Sequence, residues 1–260
     1  HSSIFVTKSE ITISVNDEHP LKAQHSILSK LEEDPGKLPY KSFIELNNPW
    51  YLVSLSRIAG FFPNRVSKLP NLKENLIKNL NQMDLLEGTL RFLGVISTEI
   101  YFWDDCEVAK SLILLLNKNS TTYLETSILL SVISNITSIK NVKEFFSQEE
   151  NYFEFLSIAE NEGKNSGICL RVLSCLTIPE NTNRGKEILD MRLVEVVQRH
   201  LENGDKFGID GSARLIIEMI KYNEKLKTYL NNANIANLLI MNASNENQDI
   251  NIFIDCFNDF

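Results

Sequence analysis

A short pattern recurs along this chain at near-regular intervals. Leu129–Ser134 reads LLSVIS: two apolar residues, one small, two apolar, one small. Phe92–Ser97 (FLGVIS) repeats it, and Leu55–Gly60 (LSRIAG) is a looser copy with Ser56 in the second slot. Val172–Thr177 (VLSCLT) and Ile216–Lys221 (IIEMIK) continue the series. The starts at 55, 92, 129, 172 and 216 are separated by 37, 37, 43 and 44 residues. Apolar pairs three to four residues apart belong to helices. A helical unit of about 40 residues cannot cover its own apolar face, so neighbouring units must stack to share one core. The pattern therefore predicts an all-α solenoid of five to six repeats.

Composition agrees. The chain has 260 residues, 43% of them apolar, and only 10 Gly and 7 Pro, which favours helices over a turn-rich β fold. A single globular core of this length would be near its upper limit, whereas a solenoid has no such limit. The net charge of −8 and pI near 5.2 argue against a large phosphate-binding surface, so direct nucleic-acid binding is not expected. Cys106, Cys169, Cys175 and Cys256 have no metal-ligand or redox spacing, which suits a reducing compartment. No apolar run has the length of a membrane span and no signal peptide is visible, so no membrane partner is expected. The opening His-Ser-Ser, without Met, is expected of a tag scar or a chosen boundary.

In order, residues 1–19 read as an extended or poorly ordered arm, with Ile11–Val15 alternating like a strand. Residues 20–260 read as the repeat domain. Helices are expected over Pro20–Glu33 and Trp50–Gly60, the latter with Trp50, Leu55, Val53 and Ile58 inward. Leu72, Leu76, Ile77 and Leu80 form the next stripe. Asp84, and then Asp104 or Asp105, are expected to cap the following helices, and Ser120 or Thr121 with Glu125 the long helix after them. Two helices, Gly185–Asp190 and Met191–Asn203, are expected before a loop over Gly204–Gly211. Gln248–Phe260 reads as a last helix or a cap.

The stretch Leu129–Ser138, LLSVISNITS, resembles the third helix of an armadillo repeat, whose pattern ends in an apolar run followed by L-S-N-L. Asn223–Ala243 and Asn181–Gly204 resemble that family's linker and first two helices. The resemblance implies that third helices line an inner, concave face that holds a peptide or domain of another protein. Importin-type members use a Trp there, with an Asn four residues on, to hold basic peptides. Matched on the hexapeptides, the Trp slot here holds Arg57, Gly94, Ser131, Ser174 and Glu218. The Asn slot holds Phe61, Thr98, Asn135, Ile178 and Tyr222. The Trp/Asn ladder is absent, which disfavours an import receptor. The slots still face the groove, so Arg57, Thr98, Asn135, Glu218 and Tyr222 are expected to contact a partner. The aromatic cluster Phe61, Phe62, Tyr101, Phe102 and Trp103 is a second candidate interface, with inter-repeat packing as its alternative.

No catalytic constellation emerges. Gly204, Gly208 and Gly211 lack the strand and spacing of a phosphate-binding loop. His25 and His200 have no neighbouring ligand, and His200 reads as a surface or half-buried residue. The acidic pairs Asp104-Asp105 and Glu149-Glu150 sit at helix starts, where the dipole favours them. No cofactor and no metal are expected. The chain reads as a non-catalytic scaffold for other protein subunits. Cys169–Asn183 resembles repeats of the cohesin-release factor Wapl, and the general texture resembles the armadillo-like region of the ARID-bearing SWI/SNF subunit. Both imply a nuclear, chromatin-associated assembly. The alternative is a cytoplasmic armadillo-type chaperone or adaptor, akin to myosin chaperones or Hsp70 exchange factors.

Overall fold

The computed structural model describes residues 4–6, 11–13, 49–69, 71–117, 122–161, 164–179, 185–203, 206–223 and 225–243. The chain divides into two compact units, His1–Lys118 and Asn119–Phe260.

The first unit begins with a small hairpin. Strand β1 (Ile4–Val6) pairs antiparallel with β2 (Ile11–Ile13), Ile4 opposite Ile13 and Val6 opposite Ile11. The alternating segment thus forms its strand, with a partner the sequence pattern did not mark. The helix expected over Pro20–Glu33 lies outside the described residues. Among the described residues of this unit, six helices follow: α1 (Pro49–Phe61), α2 (Pro63–Val66), α3 (Leu72–Asn79), α4 (Met83–Val95), α5 (Ile100–Trp103) and α6 (Glu107–Leu116). Helices α1 and α2 both start on proline, whose fixed φ suits the first turn and whose missing N–H is not needed there. Helix α1 packs on α4, while α3 packs on α4 and α6.

Leu52, Leu55, Ile58 and Ala59 carry the buried face of α1, and Val53 is 38% exposed. The expected inward place for Val53 fails on geometry. Positions 53 and 58 lie about 140° apart around a helix of 3.6 residues per turn, so they cannot share a narrow face. Leu72, Leu76 and Leu80 are buried as expected, with Ile77 at the margin. The cap of α4 is Gln82, and Asp84 lies inside the first turn. Asp105 accepts from the Glu107 backbone N–H at 3.2 Å and pairs with Lys73. Burial pushes the Asp105 carboxyl up, but Lys73 and that N–H together hold it below its usual value. Asn71 and Cys106, just before α3 and α6, both adopt left-handed backbone with φ of 58°. Each turns the chain sharply from a short first segment into the second helix of a repeat. Asn tolerates this conformation better than Cys does.

The second unit holds α7 (Tyr123–Ile136), α8 (Lys140–Phe146), α9 (Glu149–Ala159), α10 (Lys164–Cys175), α11 (Lys186–Asn203), α12 (Lys206–Tyr222), α13 (Lys225–Asn232) and α14 (Ile235–Ala243). Helix α7 opens on a reciprocal capping box. The Thr122 hydroxyl accepts from Glu125 N–H at 3.2 Å, and the Glu125 carboxylate accepts from Thr122 N–H at 2.6 Å. Ser120 and Thr121 were the expected caps, but the box needs its hydroxyl three residues before the Glu. Helices α7, α10 and α12 stack in chain order; α9 lies against α10, and α11 against α12 and α14.

Two further expectations are corrected in this unit. Residues 186–203 form one continuous helix, because neither Gly nor Pro interrupts it. Helix α12 begins at Lys206, so Gly208 and Gly211 lie inside a helix and not in a loop. A Cβ on Gly211 would come within 2.7 Å of Leu170 Cβ and 3.0 Å of the Arg171 backbone nitrogen. A Cβ on Gly208 would come within 2.5 Å of His200 Nδ1. These glycines allow α12 to approach its neighbours more closely than any side chain permits. His200 is only 5% exposed, with Nε2 2.8 Å from the Ala159 carbonyl oxygen. Its proton must therefore sit on Nε2, and the ring is a core fixture and not a surface group. Beside it, Arg192 holds Glu160 through two bonds of 2.6 and 2.7 Å, and Arg199 donates to the Glu160 carbonyl. This fork pins the end of α9 to α11. Residues 248–260, with their expected last helix, lie outside the described residues.

Candidate functional site

The buried phase of the third helices locates the surface they leave open. Leu52, Leu55 and Ile58 of α1 are buried at i, i+3, i+6. Leu90, Leu93 and Ile96 occupy the same places on α4. In the second unit the places are held by Leu130, Ile133 and Ile136, by Leu170, Leu173 and Leu176, and by Ala213, Ile216 and Met219. The central residues 55, 93, 133, 173 and 216 are thus 38, 40, 40 and 43 apart. The hexapeptide match gave 37, 37, 43 and 44. Apolar pairs recur every three to four residues within each helix, so the pattern resembles itself after one turn. LLSVIS matches FLGVIS three residues away from its structural equivalent.

Each third helix is packed on most sides and exposes a narrow stripe. Two residues before and two after each central position, the side chains face solvent. They are Val53 and Arg57 on α1, and Arg91 and Val95 on α4. On the second unit they are Ser131 and Asn135, Arg171 and Cys175, then Arg214 and the half-exposed Glu218. The two positions of each pair are four residues apart, one helical turn, so each rung offers a matched couple.

The expected partner contacts distribute as follows. Arg57, Asn135 and Glu218 sit on this stripe, Glu218 being bonded to Lys221 at 3.2 Å. Thr98 is exposed but follows the end of α4. Tyr222 lies at the last turn of α12; its hydroxyl donates to the Pro179 carbonyl at 3.1 Å, and Lys186 stands over its ring at 4.6 Å. Trp103 is 1% exposed and has no surface to offer a partner. Its indole N–H donates to the Ile96 carbonyl at 3.0 Å and its ring meets Phe102 edge-on. The expected Trp103 contact therefore gives way to packing: a buried indole needs an acceptor, and the C-terminal end of α4 supplies one. The aromatic cluster splits, with Phe61 and Tyr101 66% and 80% exposed. Arg171 and Arg214 were missed, because the hexapeptide register pointed to Ser174 and Glu218. Counting from the buried leucines would have found them.

Charges on the stripe differ between units. In the first, Arg91 binds Glu87 one turn back at 2.8 Å. In the second, Arg192 and Arg199 are both engaged by Glu160, away from the stripe. Arg171 and Arg214 form no ion pair among the described residues. No cluster of three metal-ligating side chains occurs among the described residues, and none of the described helices is long and apolar enough to cross a membrane.

No family model and no curated protein matches the chain. Solved structures do. A crystal structure of computationally designed armadillo repeat proteins for modular peptide recognition is similar over 84% of this chain and 98% of its own, with a TM-score of 0.66 and 14% identity. A designed armadillo repeat protein in complex with the peptide (KR)4 is similar over 84% and 97%, with a TM-score of 0.66 and 15% identity. An engineered protein is similar over 92% of this chain and 59% of its own, with a TM-score of 0.69 and 16% identity. The chain therefore has an all-α, armadillo-like helical-repeat fold.

Proposed function

We propose that this chain is a non-catalytic scaffold that binds other proteins along the exposed stripes of its third helices. One observation carries the reading: an exposed pair of positions one turn apart recurs at the same phase on every third helix, flanked by buried apolar residues. Within each unit, a surface left open on successive rungs suits an elongated partner. Likeness to designed proteins made for modular peptide recognition supports it. The third-helix contacts Arg57, Asn135 and Glu218 belong to this reading. Thr98 and Tyr222 take secondary places at the helix ends, where a bound chain would pass.

The test is affinity capture from the source cell with the wild-type chain and a stripe variant carrying Ser131→Glu and Asn135→Ala. The variant must keep its helical circular dichroism and melting temperature. Loss of the captured set is the expected result. Capture of the same set by the variant would move the interface elsewhere. A nuclear, chromatin-associated setting is the further part of the proposal, and it rests on the likeness of Cys169–Asn183 to Wapl repeats. Imaging of the tagged full-length protein tests it: nuclear signal is expected, and exclusively cytoplasmic signal would favour the chaperone or adaptor alternative.

A further inference from the structure

We propose that the α7–α10–α12 face of the second unit binds an extended acidic peptide, with Arg171 and Arg214 each holding one of its carboxylates. The proposal rests on the scaffold reading and adds the chemistry of the partner.

Four observations lead to it. First, the two arginines occupy the same position on successive third helices, and both are exposed. Second, those helices touch at backbone level, since a Cβ on Gly211 would lie 3.0 Å from the Arg171 nitrogen, and Arg214 follows Gly211 by one turn. Third, neither guanidinium forms an ion pair among the described residues, while the unit's other described arginines are both committed to Glu160. Of the nearby carboxylates on α12, Glu218 is bonded to Lys221. Fourth, the preceding rung is uncharged: Ser131 and Asn135 offer hydroxyl and amide groups suited to a peptide backbone.

Arg171 and Arg214 lie on neighbouring rungs and form no ion pair among the described residues, so a ligand carrying carboxylates would neutralise both charges. Arginine is suited to the task, because its fork takes a carboxylate through two parallel bonds. Packed helices are about 8–10 Å apart, and a peptide in the polyproline II form advances about 9 Å in one three-residue turn, which brings the side chain back to the same face. The matching ligand therefore carries acidic residues three apart. The net charge of −8 disfavours long polyanions, which feel the field of the whole chain, more than a short acidic segment.

The experiment is fluorescence anisotropy on the full chain. The probe is a fluorescein-labelled peptide of about twelve residues with Glu at every third position. The same peptide with Gln, Lys or phosphoserine at those positions, and a single-stranded oligonucleotide of similar length, serve as comparators. The Glu peptide is expected to bind best, and to weaken as salt rises. Arg171→Glu with Arg214→Glu should weaken it by about tenfold or more. Arg171→Lys with Arg214→Lys should retain part of the affinity, because charge survives without the fork. Equal or better binding of the Gln or Lys peptide, lost on Asn135→Ala, would overturn the acidic assignment and leave the stripe as the interface. Preference for the phosphoserine peptide or the oligonucleotide, or no binding of any probe, would also overturn it. The capture experiment above judges the stripe itself independently.

Discussion

The two units pack their third helices by different means. In the first, α1 meets α4 through side chains: a Cβ on Gly88 would sit 3.4 Å from Leu52 Cδ1, an ordinary contact. Phe92 and Trp103 are among that unit's largest fully buried side chains, as Tyr152, Phe146, Phe153 and Phe155 are in the second. In the second unit, α10 meets α12 with backbones close together, and Gly208 and Gly211 admit no side chain. The α1–α4 contact is thus made through side chains, and the α10–α12 contact through their absence. The same residue type, glycine in a third helix, means different things in each.

That contrast can be broken by substitution. Trp103→Ala should be the most damaging change, costing about 3–5 kcal/mol through the cavity left in the first unit. The Ile96 carbonyl would lose its indole donor as well. Chemical denaturation measures the loss. Gly211→Ala should cost about 1–3 kcal/mol, because Leu170 Cβ, the Arg171 nitrogen and the Gly167 oxygen cannot all retreat. Equal stability of Gly211→Ala and wild type would show that the helices slide apart freely, and the contrast between units would fail.

A smaller effect sharpens the polar side of the comparison. Asp190 is buried between packed elements of the second unit, with one carboxylate oxygen bonded to Asn223 at 3.0 Å and the other without a partner. Burial raises its pKa, against the pull of Asn223 and Lys186. A raised carboxyl pKa favours the folded state at low pH. That stability is full below the unfolded value and is lost as pH rises through the folded one. Asp190→Asn keeps the Asn223 bond, so it should raise the melting temperature at neutral pH and lessen its fall as pH rises from acidic values. An unchanged pH profile would show that Asp190 is well solvated. The smallest effect is expected at Gly60, where a Cβ meets nothing within 4 Å. Gly60→Ala should stabilise by no more than about 1 kcal/mol, by helix propensity and a less flexible unfolded chain.

What could be read from the sequence follows the same division. The solenoid was legible, since repeated apolar couples at a period near 40 require stacked helices whatever their register. The register was not. Leu129-Leu130 and Val132-Ile133 look alike as pairs, and only burial shows that Ile133, not Leu130, corresponds to Leu93. This slip of one turn displaced the expected Trp and Asn slots on every third helix except α7. It hid Arg171 and Arg214 behind Ser174 and Glu218. The glycines were misread for a related reason. Gly208 and Gly211 look like loop residues when propensity alone is weighed, and the close approaches that require them, to His200 and to Leu170, are tertiary facts. Trp103 was placed on a possible interface because aromatic enrichment marks interfaces and cores alike. Thr122 was within reach of sequence reasoning, because the three-residue spacing to Glu125 already identifies the cap.

Thiol reactivity along the third helices tests the shared phase most directly. Native Cys175 is exposed and native Cys169 is buried on the same helix. Single cysteines at positions 91, 131, 171 and 214, in a background freed of native thiols, should alkylate at the rate of an exposed thiol. Cysteines replacing buried Thr89, Thr137, Ser166 and Ser212 should stay protected until the chain unfolds. Protection at 91, 171 and 214 together with fast labelling at 89, 166 and 212 would contradict the register, and the interaction stripe would fall with it.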